Sequence, residues 1–208
     1  MIKKSLLQLL LKWPSVVIRD QDLAAELPGD DQTRYDVVGR ALKDRLLARL
    51  KRGIYCILPP YQKYLPNTFE IAQILYGPSY ISFESALSHY GLIPEAVYMT
   101  TSACMKRSQT IETFLGPFCY LHVPIDSFTL GVSRVQETPA TYFLATPWKA
   151  LADLCYVQKK QWKSLSDLCE DLRIEQDDLQ NQDPHILEEL IQAYGSKRVR
   201  QILMKLRS

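Results

Sequence analysis

The most constraining feature of the chain is the run LLARLKRGIYCILPP at residues 46–60. Leu47 to Leu50 and Ile54 to Leu58 are apolar-rich runs of strand length, separated by Lys51, Arg52 and Gly53. A glycine takes the positive φ of a tight turn without a Cβ penalty, so Gly53 marks the tip of a hairpin. Pro59 and Pro60 lack the backbone donor that a further strand would need and stop the second strand.

Helical periodicity precedes the hairpin. SLLQLLLKW places Leu6, Leu9 and Leu10 on one helical face, and Pro14 ends that helix. RDQDLAAEL predicts a short second helix with Asp20 as its N-cap and Leu23, Ala24 and Leu27 facing inward. PGDDQT is turn chemistry. A third helix is predicted to start near Thr33, burying a stripe of Tyr35, Val38, Leu42 and Leu46 and leaving Arg34, Arg40 and Lys43 pointing outward. Three small helices followed by a two-stranded hairpin is the order of a winged helix-turn-helix, whose third helix enters the major groove of DNA.

Charge supports that reading through its distribution. The 208 residues carry a formal net charge of only +2. Residues 40–52, however, hold Arg40, Lys43, Arg45, Arg49, Lys51 and Arg52 against Asp44, six basic minus one acidic, or +5. A plain protein-interaction module requires no such concentration on its third helix and hairpin tip together. Arg34, Arg40, Lys43, Arg45, Lys51 and Arg52 are therefore the candidate contacts to double-stranded DNA, expected on one continuous outward surface. Because one small module gives limited specificity, a homodimer on repeated half-sites is expected.

The segment PPYQKYLPNT, with Pro59, Pro60 and Pro66, divides the chain into a first domain at 1–60, a Pro-rich linker at 61–67 and a second domain at 68–208. Thr68 is the expected cap of a helix containing Phe69, Ala72, Ile74 and Leu75. A second helix begins at Ser82, packs Ala86, Leu87 and Tyr90 inward, and stops at Gly91. Strand-like runs AVYMTTSA, TIETFLGPFCYLHVP and FTLGVSRVQETPATYFLA follow, then the helix TPWKALADLCYVQ. PHILEELIQAYGSKRVRQILMKL reads as two helices joined at Gly195; the second exposes Lys197, Arg198, Arg200 and Lys205 beside an apolar face that packs on its own domain. The fold class is α+β: a winged helix-turn-helix, then a mixed α/β domain with C-terminal helices.

The motifs YGPSYISFESALSHYGLIPEAVYMTTSA, LGPFCYLHVP, LGV and ATPWKALADL, after LKRGIYCIL, occur in the order found in one family. Over roughly residues 5–160 the chain resembles the AbiEi antitoxins of abortive-infection toxin–antitoxin systems. It departs at Trp148, where such proteins usually carry glutamate in a PEKAL string. The resemblance implies a cytoplasmic repressor that binds inverted repeats in the operator of its own operon. Its second domain would antagonise a cognate nucleotidyltransferase-like toxin.

Each chemistry-bearing residue also has a framework role open to it. Ser85 and His89 lie at i and i+4 and can meet on one helix face, but no GxSxG elbow and no orienting acid accompany them. A metal-dependent nuclease would recruit Glu84, Asp126, Glu137 and Lys149, whose spacing matches no known metal pattern. His122 in YLHVP reads as a structural strand histidine. The five cysteines lack CxxC pairs or neighbouring histidines, so neither zinc nor a disulfide framework is expected. No phosphate-loop string is present, and no run of roughly 18 apolar residues suggests a membrane span. No signal peptide is visible in MIKKSLLQLLLKWPS. The expectation is a non-enzymatic regulator and antitoxin with no catalytic residues, no metal and no cofactor. A nuclease, or a regulator without a toxin partner, are the alternatives.

Overall fold

A computed structural model describes residues 2–94 and 98–207, with side chains from residue 5 onward. Ten α-helices and nine strands in two sheets occur among the described residues, an α+β chain. No helix among them is long and apolar enough to cross a membrane. The chain divides into two compact units, residues 1–71 with 112–115, and residues 72–111 with 116–208.

The first unit runs α1 (Ile2–Lys12), β1 (Val17–Arg19), α2 (Asp20–Glu26), α3 (Asp31–Lys43), β2 (Leu47–Lys51) and β3 (Ile54–Ile57). Its antiparallel sheet has the order β1-β3-β2. The expected hairpin is present, with Leu47 opposite Ile57 and Lys51 opposite Ile54. Strand β1 was not legible: three residues do not establish an alternation. Leu6 and Leu10 of α1, Leu23 of α2, Val37, Val38 and Ala41 of α3, and Leu47, Tyr55 and Ile57 of the sheet make one apolar core. Each large aliphatic buried there contributes about 1.5–3 kcal/mol.

Three local expectations are corrected. Helix α2 is capped by the side chain of Asp22, which accepts the Arg19 N–H at 2.8 Å; Asp20 is already helical, and Ala24 is exposed. Helix α3 begins at Asp31 because the Asp30 carboxylate accepts the Thr33 N–H at 2.8 Å. Hydrogen bonding from the Thr33 side chain, then from its backbone N–H, holds the Asp30 carboxyl below its ordinary range. The buried stripe of α3 follows Val37, Val38 and Ala41, so Tyr35 points to solvent and is 71% exposed. One residue of phase on a helix turns a side chain by roughly 100°.

The segment 61–67 packs as part of the first unit. Tyr61 lies against its core, and the Val16 N–H reaches the Tyr64 hydroxyl at 3.4 Å. The division falls after Ile71, within α4 (Thr68–Leu75), whose N-terminus is capped by Asn67 Oδ1, accepting from Phe69 and Glu70 N–H.

The second unit, which takes all of the sheet but Glu112 and Thr113 of β6, builds a six-stranded mixed sheet in the order β6-β7-β5-β4-β9-β8. Its elements are β4 (Ser79–Ile81), α5 (Phe83–His89), β5 (Thr100–Cys104), β6 (Gln109–Thr113), β7 (Gly116–His122), β8 (Val132–Glu137), β9 (Ala140–Ala145) and α6 (Pro147–Gln158). Helices α7 (Leu165–Leu172), α8 (Gln176–Gln180), α9 (Pro184–Ala193) and α10 (Lys197–Leu206) complete it. Strand β5 pairs in parallel with β7, and β4 in parallel with β9 at Ile81 and Leu144. Both longer strand-like runs fold back as hairpins, β6–β7 and β8–β9. Part of the expected strand AVYMTTSA, at residues 96–97, lies outside the described residues. Strand β4 was missed because all three of its residues are buried, leaving no polar alternation. Gly91, with φ +69°, follows α5 as expected, whereas Tyr90 is 40% exposed. The side chain of His122 is exposed, not buried in the sheet.

Candidate functional site

In the first unit, the hairpin tip is fastened to the start of α2. The Asp20 N–H donates to the Gly53 carbonyl at 2.9 Å, and Gly53 has φ +75°. A Cβ at Gly53 would meet Asp20 Oδ2 at 2.9 Å, a contact that side chain can relieve by turning, so the positive φ is what favours glycine here. A groove of about 530 Å³ lies beside this tip, lined by Asp20, Asp31, Arg34, Tyr35, Arg52 and Tyr55 among others. Burial, reinforced by the Asp20 carboxylate, raises the Tyr55 phenol above its ordinary pKa.

Two of the six candidate DNA contacts, Arg34 and Arg52, share this groove. Arg34 does not point outward as expected: its side chain is 20% exposed, ion-paired with the Asp31 carboxylate and donating to the Gly29 carbonyl. Arg52 is exposed at the tip, and Lys51 beside it is half-buried. Arg40 and Lys43 are exposed in the last turn of α3, and Arg45, exposed with φ 54°, follows two residues later. Arg34 and Lys43 are separated by roughly 13 Å along the helix axis. Asp20 and Asp31 lie in the groove wall with Arg34 and Arg52, and Asp44 follows Lys43 in the chain. Arg49, part of the basic run but not among the six candidates, is exposed and lies directly opposite Tyr55 on the hairpin.

The second unit holds a cluster of a different kind. Lys149 and Asp153, one turn apart on α6, are both fully buried, with Nζ to Oδ1 at 2.8 Å. The carboxylate also accepts from Tyr80 OH at 2.8 Å, Ser82 Oγ at 2.9 Å and Tyr194 OH at 3.3 Å. The ammonium lies over the faces of Tyr80 and Tyr194, 5.6 and 5.3 Å from the ring centroids. Burial first, then the Asp153 charge, pushes both phenols well above their usual pKa. This network joins β4, α6 and the end of α9.

The serine-rich helix is tied into the same framework. Ser82 gives its hydroxyl to Asp153, and its carbonyl accepts from Thr101 Oγ1 at 2.8 Å. The next residue, Phe83, is held at φ 57°, a left-handed position rare for a bulky side chain. Ser85 Oγ accepts the Thr101 N–H at 2.8 Å and donates to the Met99 carbonyl at 3.2 Å. The Ser85 and Thr101 hydroxyls therefore serve the joint between α5 and β5, while the Ser82 hydroxyl ties the start of α5 to α6. His89 sits edge-on to Tyr90 and Tyr142.

The four residues weighed for a nuclease are placed apart in role. Lys149 is buried with Asp153, Glu84 accepts from the Gln158 amide at 2.9 Å, and Asp126 and Glu137 are exposed. Among the described residues no group of three His, Cys, Asp or Glu side chains is placed to hold a metal ion.

Arg198 also departs from expectation. It is half-buried, and its guanidinium donates to the carbonyls of Lys160 at 2.8 Å, Cys155 at 2.9 Å and Tyr156 at 3.2 Å. These carbonyls lie at or just beyond the C-terminal end of α6, where backbone acceptors lack helical partners. A positive group there also complements the helix dipole. Compared with known proteins, the chain matches no family model and no curated sequence.

Proposed function

We propose that residues 1–60 form a winged helix-turn-helix and that the chain represses its own operon by binding inverted repeats in double-stranded DNA. The observation that carries the reading is the element order α1-β1-α2-α3-β2-β3 with the sheet order β1-β3-β2 and a Lys-Arg-Gly tip beside the N-terminal half of α3. That order presents a helix and a hairpin tip to a duplex. The outer side of α3 supports it: Tyr35, Arg40 and Lys43 are exposed, and a Cβ at Gly39 would meet open space. Residues 1–71 hold 12 Lys and Arg against 8 Asp and Glu, a difference of +4.

The test is binding of the full chain to a duplex carrying the repeats of its own promoter, over a series of salt concentrations. Each phosphate contact contributes about 0.9 to the slope of log affinity against log salt. Replacing both Lys51 and Arg52 by alanine is expected to lower that slope by about 1.8. Arg40→Ala is expected to cost about 1–3 kcal/mol if Arg40 reads a base edge. Salt-independent binding, or equal affinity for every duplex with an unchanged slope in the double variant, overturns the reading.

The second half of the proposal is antagonism of a nucleotidyltransferase-like toxin by the second unit. It rests on the resemblance of the motifs from YGPSYIS to PWKALADL to the AbiEi antitoxins. Several residues of those motifs, Tyr80, Ser82, Lys149 and Asp153, meet in one buried network, which supports their reading as framework. Co-expression with an adjacent nucleotidyltransferase-type reading frame is expected to relieve growth arrest; persistent arrest with both proteins made removes this half.

A further inference from the structure

Within the second unit, a cavity of about 400 Å³ opens beside β4, at the lower end of the size range of small-molecule sites. Its walls are the rings of Tyr80, Phe128 and Phe143 with Val132, and none of the described residues lining it is charged. Tyr80 is a stiff wall: its hydroxyl is fixed on Asp153, and Phe128 meets it edge-on with centroids 4.9 Å apart. At the rim the Gln73 amide donates to the Phe143 carbonyl at 3.0 Å, holding α4 to β9. Ser79 stands in the wall at 8% exposure, and its hydroxyl is shielded from solvent without a hydrogen-bond partner. A buried hydroxyl left unpaired is costly; as it stands it has no surface open to the cavity, so a bound oxygen or nitrogen would reach it once the Ser79 side chain turns about its Cα–Cβ bond.

We propose that this cavity is a binding site for a neutral, flat, one- or two-ring aromatic molecule bearing a single hydroxyl or carbonyl that pairs with Ser79. Aromatic walls favour offset or edge-on contact with another ring. The absence of a charged lining residue leaves an ionised ligand without a counter-charge on losing its water. The site lies wholly within residues 73–143 of the second unit, so it stands or falls separately from DNA binding by the first.

The test titrates the full chain with 2-naphthol, naphthalene and 2-naphthoate, read by ligand-observed NMR and by thermal unfolding. 2-Naphthol is expected to bind and raise Tm, with 2-naphthoate at least about tenfold weaker. Val132→Trp, which fills the cavity, should abolish binding. Ser79→Ala should weaken 2-naphthol several-fold and leave naphthalene unchanged. Should Val132→Trp fail to fold, intermolecular NOEs from 2-naphthol to the Phe128 and Phe143 rings of the natural chain locate the site directly. No binding of 2-naphthol, equal binding of 2-naphthoate, unchanged affinity in a folded Val132→Trp, or NOEs to other residues each overturn the proposal.

Discussion

Arg34 with Asp31 in the first unit and Lys149 with Asp153 in the second are both ion pairs within a helix, spaced three and four residues apart. Their surroundings are opposite. Asp31 is 98% exposed, whereas the Lys149 and Asp153 side chains have no accessible surface. An exposed pair is screened by water and salt and adds little to stability. A buried pair has lost its hydration and survives only where further hydrogen bonds replace it. Asp153 accepts from four donors, which meets that requirement. The contrast teaches what each charge is available for. Exposed cations such as Arg40 and Lys43 of the first unit remain able to exchange water for phosphate, while Lys149 of the second is committed to holding helices and strands together.

The strongest way to break the contrast is Asp153→Ala. It strands a buried ammonium and leaves three hydroxyls unpaired, so unfolding in urea should show a loss of about 3–5 kcal/mol. Lys149→Met removes the other partner but leaves the carboxylate three donors, and should cost less. A combined Lys149→Met and Asp153→Leu variant should recover part of the loss, since an apolar pair carries no desolvation penalty. Equal, small losses in all three would show that water reaches the pair.

A partly buried charge lies between the extremes. Arg198→Ala removes a fork that caps three carbonyls, and charge-assisted bonds of this kind lead to an expected loss of about 2–3 kcal/mol in the same measurement. Arg198→Lys keeps the charge without the planar fork and should restore only a fraction. Full restoration would mean that the dipole of α6, and not directed hydrogen bonding, is what the residue serves.

These three charges also mark the limit of what the sequence discloses. The hairpin was legible because Gly53 and the prolines punctuate two short apolar runs, and α6 because Pro147 starts it. Lys149 and Asp153 at i and i+4 look like an ordinary solvent-facing pair. The signal that they are buried was the rest of PWKALADLC, which contains no other charge and is buried from Pro147 to Cys155. Arg198 reads correctly as basic, but its acceptors are 38 to 43 residues away, a relation no local pattern carries. In the first unit the opposite holds: Arg34 reads by helical phase as an outward cation, yet Asp31, three residues earlier, is its partner.

The buried network can also be sharpened by pH. Tyr80 and Tyr194 keep their protons more tightly folded than unfolded, because burial and the Asp153 charge oppose the phenolate. Their contribution is therefore complete below the unfolded tyrosine pKa of about 10 and is lost as pH rises above it. Each such phenol makes stability fall by about 1.4 kcal/mol per pH unit in that window. Tyr194→Phe keeps the ring and should flatten the alkaline slope by that amount. An unchanged slope would remove Tyr194 from the network.

The smallest effect on stability belongs to Asp31→Asn. With Asp31 almost wholly in solvent, the urea midpoint should stay within measurement error. Binding to DNA should nevertheless change, because the substitution removes a negative charge from the groove beside Arg52 and releases the Arg34 guanidinium from its partner. A released guanidinium that reaches a phosphate should steepen the salt dependence by about 0.9. If the slope and affinity both stay fixed, Arg34 does not face the duplex, and DNA contact belongs to the group at Arg40, Lys43 and Arg45. If affinity falls, the ion pair is itself part of the bound surface, and the division between exposed, available charge and buried, committed charge fails at this helix.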